Sequence, residues 1–198
     1  MQKFLAGLAG AALCAAAVRA NVLVYTNGPI NGSINAINVG ANNEVTDSFA
    51  ITGPLDLAAA GVGLWSTDGS MPQDISWSIG TTPYGSDVSS GSSVLSDSLS
   101  SIAGFNTFPI YEATFAISGA VTTGTYYLTL SNSTPSAYGW DENNGPSLAF
   151  MNGSNPIGSE AFRLFDSAAP DATSTLGLLA IGLGAAFVAA RREREFAR

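Results

Sequence analysis

Two stretches of strict two-residue alternation organise the middle of the chain. Ile75, Trp77 and Ile79 alternate with Asp74, Ser76 and Ser78, and Tyr111, Ala113, Phe115 and Ile117 alternate with Glu112, Thr114 and Ala116. Successive side chains of a strand point to opposite faces, so this spacing predicts half-buried β-strands. Similar runs predict strands over 22–26, 44–52, 55–65, 125–130, 148–151 and 161–165. No window holds apolar residues at helical spacing through three turns, and turn chemistry separates the runs: Asn27-Gly28-Pro29, Asn31-Gly32, Gly53-Pro54, Asp68-Gly69, Asn144-Gly145-Pro146 and Asn152-Gly153. Eight or nine short strands with no internal repeat predict an all-β, two-sheet antiparallel sandwich, jelly-roll-like, over residues 21–168. Alternation turns Trp65, Trp77, Phe115 and Tyr126 toward its core. The serine-rich stretch 85–101 keeps Val88, Val94, Leu95 and Leu99, which favours strands with serine-rich solvent faces over a flexible linker.

The two ends break this pattern. Lys3, the uncharged run 4–18, and Val18 and Ala20 at the −3 and −1 positions read as a signal peptide over residues 1–20, cut between Ala20 and Asn21. Residues 174–190 are uncharged and are followed by Arg191, Arg192 and Arg194. Seventeen residues is the lower edge of what spans a bilayer. The expectation is a short transmembrane helix over 174–190 with a basic cytoplasmic tail over 191–198 and the body outside. Gly177, Gly182 and Gly184 make that helix weakly apolar, which suits a temporary anchor. Residues 169–175 form the linker before it.

A short Pro-containing motif, a minimal apolar helix and an arginine cluster at the C-terminus resemble the PEP-CTERM sorting signal of Gram-negative bacteria. The motif here is Pro170-Asp171-Ala172-Thr173-Ser174-Thr175, with Asp171 in place of Glu and Ala172 in place of the second Pro, similar to the Pro-Asp-x-x-Ser-Thr variant. The resemblance covers roughly thirty of 198 residues. It implies processing by an exosortase after signal peptidase, transient residence in the inner membrane, and final placement at the outer cell surface or in the extracellular matrix with exopolysaccharide as a partner. The body also resembles a recurring ectodomain of such proteins through Val62-Gly63-Leu64-Trp65, 77–87, 124–130, 140–147 and Ser159-Glu160-Ala161-Phe162. That second likeness implies a location and a fold and no reaction.

Charge and composition narrow the chemistry. Between residues 21 and 190 stand thirteen acids and one base, Arg163, a net charge of −12. Such a body repels phosphate backbones and excludes nucleic acid as a partner. There is no histidine, and Cys14 is the one cysteine, so zinc sites, Ser-His-Asp triads and cysteine nucleophiles are excluded. Arg163 is expected to neutralise nearby acids.

The densest polar cluster is 140–146. Asp141-x-Asn143-x-Gly145 sets oxygen ligands at alternate positions as calcium loops do, but Asn152 stands where the bidentate Glu of an EF-type loop belongs. A turn with solvated acids is the favoured reading, a calcium site at Asp141, Asn143 and Gly145 the first alternative, and glycan contact through an exposed Trp140 the second. No cofactor other than calcium is implied, and the metal stays unassigned. Adjacent Asp141 and Glu142 point to opposite faces of a strand and cannot form a glycosidase pair, and nothing in the sequence places Asp74 or Glu112 beside them. No catalytic residue is assigned. The expected function is a non-enzymatic exported surface or matrix protein; a carbohydrate-binding module is the alternative, with ice binding disfavoured by the sparse Thr81-Thr82 and Thr122-Thr123 pairs, and a secreted glycoside hydrolase-like enzyme is the second alternative.

Overall fold

The computed structural model describes residues 21–167 apart from 41 and 154. The signal segment 1–20, the motif Pro170, Asp171, Ser174 and Thr175, the apolar segment 174–190 and the basic tail 191–198 lie outside the described residues. The described residues are all-β, and none of their helices is long and apolar enough to cross a membrane.

The strands run in chain order as β1 (Asn21–Thr26), β2 (Asn35–Asn38), β3 (Glu44–Ile51), β4 (Leu55–Ser66), β5 (Asp74–Gly80), β6 (Ser89–Val94), β7 (Ser96–Ala103), β8 (Pro109–Val121), β9 (Gly124–Thr134), β10 (Tyr138–Asn143), β11 (Ala149–Met151), β12 (Asn155–Ile157), β13 (Ser159–Glu160) and β14 (Phe162–Ser167). They form two antiparallel sheets packed as a sandwich. In the eight-stranded sheet β4 is the spine: β8 pairs along one edge, and the other is shared by β14 over the first half and β10 over the last residues. β7 extends beyond β8, β1 beyond β14, and β2 and β13 both pair with β10. The six-stranded sheet runs β12-β11-β3-β9-β5-β6.

The inward rows are those the alternation predicts. Ile75, Trp77 and Ile79 of β5 and Tyr111, Ala113, Phe115 and Ile117 of β8 are buried, as is Tyr126. Trp65 is buried too, but away from the core it was expected to fill: it follows the core residue Leu64 on β4, so its side chain takes the other face of the sheet, where it donates to Asp141 and lies against Gly104. Phe49 and Tyr126 stack with ring centroids 5.7 Å apart, and Phe162 meets Phe49 at 6.3 Å and Trp140 at 5.7 Å, both edge to face. This arrangement draws one continuous aromatic seam from both sheets. The serine-rich stretch does form strands, and β6 leans on the other sheet through Ser93 Oγ to the Ala116 carbonyl at 2.6 Å and a Ser89–Ser118 hydroxyl pair at 3.2 Å. Of its apolar residues Leu95 is buried, whereas Val94 is 80% and Leu99 66% exposed. Those two side chains share the serine-rich solvent faces.

Candidate functional site

At one end of the sandwich the apolar core gives way to acids, amides and hydroxyls. β3 reads Val45, Asp47, Phe49, Ile51 along its inward row, so Asp47 occupies a core position in phase with its apolar neighbours. From the other sheet, β10 and β13 pair with Glu142 opposite Glu160 and Asn143 opposite Ser159. Between them lies Asn27, fully buried where the chain leaves β1. Its Nδ2 lies 3.0 Å from Asp47 Oδ2, 2.5 Å from Ser147 Oγ, 2.7 Å from Ser159 Oγ and 2.8 Å from the Glu160 carbonyl. Asn27 Oδ1 accepts from the Tyr25 hydroxyl at 2.9 Å, and Asp47 Oδ2 also accepts the Glu160 amide at 2.7 Å.

Backbone shape lets these groups converge. Gly28 takes φ +96°, a conformation L side chains rarely adopt, and a Cβ there would lie 2.9 Å from Asn143 Nδ2, which donates at 2.7 Å to the Asn27 carbonyl. Gly145 has its bare Cα pressed against the Asn27 carbonyl and Ser159 Oγ, so any side chain there would push the hub apart.

Electrostatics follow from burial. Removal from water pushes the Asp47 carboxyl up to about 6, against hydrogen bonds led by the Ser147 hydroxyl that favour its ionised form. The Tyr25 phenol is pushed up to about 12, first by burial and then by the neighbouring Asp47 charge. Glu160 is raised well above the ordinary glutamate range, first by burial and then by Asp47, Glu142 and Asp141. Neither oxygen of its carboxylate has a hydrogen-bond partner, and Asp47 Oδ1 has none either.

The residues singled out in the sequence border this hub. Residues 140–143 belong to β10 in the interior of a sheet, which corrects the solvated turn. Trp140 is 0% exposed, donates from Nε1 to the Ala161 carbonyl at 2.9 Å and packs on Phe162, so it offers no exposed face to a sugar. Asp141 is buried with both oxygens engaged: Oδ1 accepts from Trp65 Nε1 at 2.6 Å and the Gly32 amide at 3.1 Å, and Oδ2 from the Asn31 amide at 3.0 Å. Asn143 Oδ1 accepts the Gly145 amide at 2.8 Å. Asp141, Asn143 and Gly145 thus clamp the segment after β1 onto the sheet, and they do not turn their oxygens toward a common centre. Among the described residues no three His, Cys, Asp or Glu side chains form a ready-made metal shell.

No family model and no curated protein matches this chain.

The outer face of the eight-stranded sheet carries a groove of about 500 Å³, floored by Gly61 and Gly63 and walled by Ile30, Ile102, Glu112 and Arg163. Arg163 reaches Glu112 at 3.3 Å with both side chains part exposed, a pair worth little in stability. Asp74 belongs to β5, in the opposite sheet from Glu112.

Sequence reasoning missed Asn27, Asp47, Ser147 and Glu160 as a set. The available signal was an acid in phase with an apolar row: Asp47 between Val45 and Phe49, and Glu160 two residues before Phe162.

The clamp gives a direct prediction. Asp141→Ala leaves the Trp65 indole and two main-chain amides without their acceptor, which costs about 2–3 kcal/mol, read as a lower urea midpoint with faster proteolysis within 27–34. Asp141→Asn, which keeps an acceptor oxygen, is expected to lose less than half as much. An Asp141→Ala protein as stable as the parent would show that the clamp contributes nothing.

Proposed function

We propose that the chain is a non-enzymatic exported protein of the cell surface or extracellular matrix, sorted through a PEP-CTERM-like tail and processed by an exosortase. The observation that carries this reading is the order of segments at the C-terminus: Pro170-Asp171 with Ser174-Thr175, the uncharged run 174–190 and the Arg191, Arg192 and Arg194 cluster, in a chain that opens with a signal-peptide pattern cut between Ala20 and Asn21. The body lends support. Residues Asn21–Ala168 form one compact unit, and Asn21 of β1 pairs with Ser167 of β14. Removal of both terminal segments would therefore leave every described strand intact. A body with a single base among its acids suits an extracellular milieu in which exopolysaccharide, not phosphate polymer, is the neighbour.

Intact-mass spectrometry of protein recovered from the envelope and medium of the native host tests the reading. The expected mass runs from Asn21 to near Pro170, bare or carrying an added group. A mass running from Asn21 through Arg198 would mean a plain anchored ectodomain and would end the sorting proposal.

A further inference from the structure

The buried end of the sandwich carries negative charge without a side-chain base to balance it. Asp47 and Glu160 are 0% exposed, Asp141 and Glu142 add to the field on Glu160, and the one base of the body, Arg163, is engaged with Glu112. A buried carboxylate needs an ionic partner or hydrogen-bond donors. Glu160 has neither at either oxygen, and Asp47 has none at Oδ1.

The surroundings hold more acceptors than protons. An amide nitrogen carries two hydrogens, yet four oxygens lie within 3.0 Å of Asn27 Nδ2. Two of those oxygens are therefore left without its proton. Ser147 and Ser159, 2.7 Å apart, have one hydroxyl proton each, and one of these is taken up by their mutual hydrogen bond. The set consists of carboxylates, hydroxyls, a main-chain carbonyl and an amide, with no nitrogen or sulfur ligand. Hard cations collect such oxygens. A single proton would offset one of four neighbouring acids, whereas a divalent ion offsets two. Glu142, part exposed and paired with Glu160, gives the ion a route from solvent.

We propose that Asp47 and Glu160 hold one divalent cation of the calcium class between the two sheets, with the Ser147 and Ser159 hydroxyls as neighbouring oxygen donors and Glu142 at the rim. This centre does not use the Asp141, Asn143 and Gly145 oxygens considered in the sequence, and it is independent of how the chain is sorted.

The test uses the full-length protein in detergent, stripped of metal and titrated with calcium chloride at pH 7.5. The expected result is one calcium per chain by equilibrium dialysis, a shift of the Asn27 side-chain amide resonances, and a rise in Tm of about 5–10 °C at a hundredfold excess over Kd. Glu160→Gln, which keeps the shape and removes the charge, is expected to abolish the stoichiometric binding and the Tm response; Asp47→Asn is the second variant should the first fail to fold. Should neither fold, stoichiometric binding that moves the Asn27 resonances carries the proposal. An absence of stoichiometric calcium at millimolar concentration overturns it and leaves a shared proton as the balancing charge. An equal Tm response in the parent and Glu160→Gln overturns it as surface screening. The mass measurement on the native protein is untouched by either result, so failure here and failure of the sorting reading are separable.

Discussion

Replacing Trp140 by alanine is expected to lower stability by about 3–5 kcal/mol, the range for truncating a large buried aromatic, and to lower Tm by about 10 °C or more. The side chain has 0% exposure and fills the inward row of β10 against Phe162. Its loss opens a cavity in the aromatic seam and strips the Ala161 carbonyl of its indole donor. Trp140→Phe keeps a ring in the seam and loses the hydrogen bond, so it should cost roughly half as much. Urea denaturation followed by circular dichroism measures both. A Trp140→Ala protein with the parent's stability, or one that loses only sugar binding, would return this residue to the surface as a platform.

What was legible in the sequence is what local alternation encodes. β5 and β8 carry their inward rows in plain sequence, and β3, β4 and β9 begin within a residue of the expected positions, because one face of each is apolar and the other small or polar. Trp77, Phe115 and Tyr126 are buried for the same reason, whereas Trp65 is buried on the other face of β4 by Asp141 and Gly104, which alternation alone does not show. β10 was illegible because its burial comes from elsewhere in the chain. Tyr138–Asn143 is flanked by β2, β4 and β13, and residues 31–32 lie on Asp141. Four polar residues running into Gly145-Pro146 look like a solvated turn until those partners are in place.

The polar hub was hidden for a related reason. Asn27-Gly28-Pro29 has turn chemistry, and Gly28 does take a positive φ. The turn's function is nevertheless to deliver the Asn27 amide into the interior, where Asp47, Ser147 and Ser159 arrive from sequence separations of 20, 120 and 132 residues. No window of the sequence contains two of these groups at a recognisable spacing. The one local clue, Asp47 in an apolar row, is a conflict between pattern and residue type, and such conflicts mark strained or functional positions.

That conflict sets the pH behaviour. With calcium chelated, stability is expected to fall as pH rises from about 4 to 7, by about 3 kcal/mol from Asp47 alone, since its carboxyl moves from an ordinary 3.8 to about 6 on folding. The native state binds more protons than the unfolded chain in this window, so unfolding becomes easier as pH rises through it. The groups facing Asp47 act in the same direction. Glu160 is raised by burial and by Asp47, Glu142 and Asp141, and the Tyr25 phenol stays protonated and neutral throughout, so it adds no charge of its own. Exposed Asp68 and Asp87 oppose the trend at lower pH: hydrogen bonds to Ser70 and Thr81 hold their carboxyls below the usual range, and that stability is lost as pH falls through their folded values. A maximum near pH 4 in chelator is the consequence. Asp47→Asn should flatten the neutral limb and raise stability at pH 7.5, an unusual sign for a buried substitution, because it removes a charge that the fold leaves short of partners. Saturating calcium should flatten the same limb in the parent, since the ion binds the ionised form. Urea midpoints at half-unit steps of pH, with and without chelator, decide the matter: a parent protein whose stability is level or rising from pH 5 to 7.5 in chelator would mean that Asp47 and Glu160 carry no strained charge.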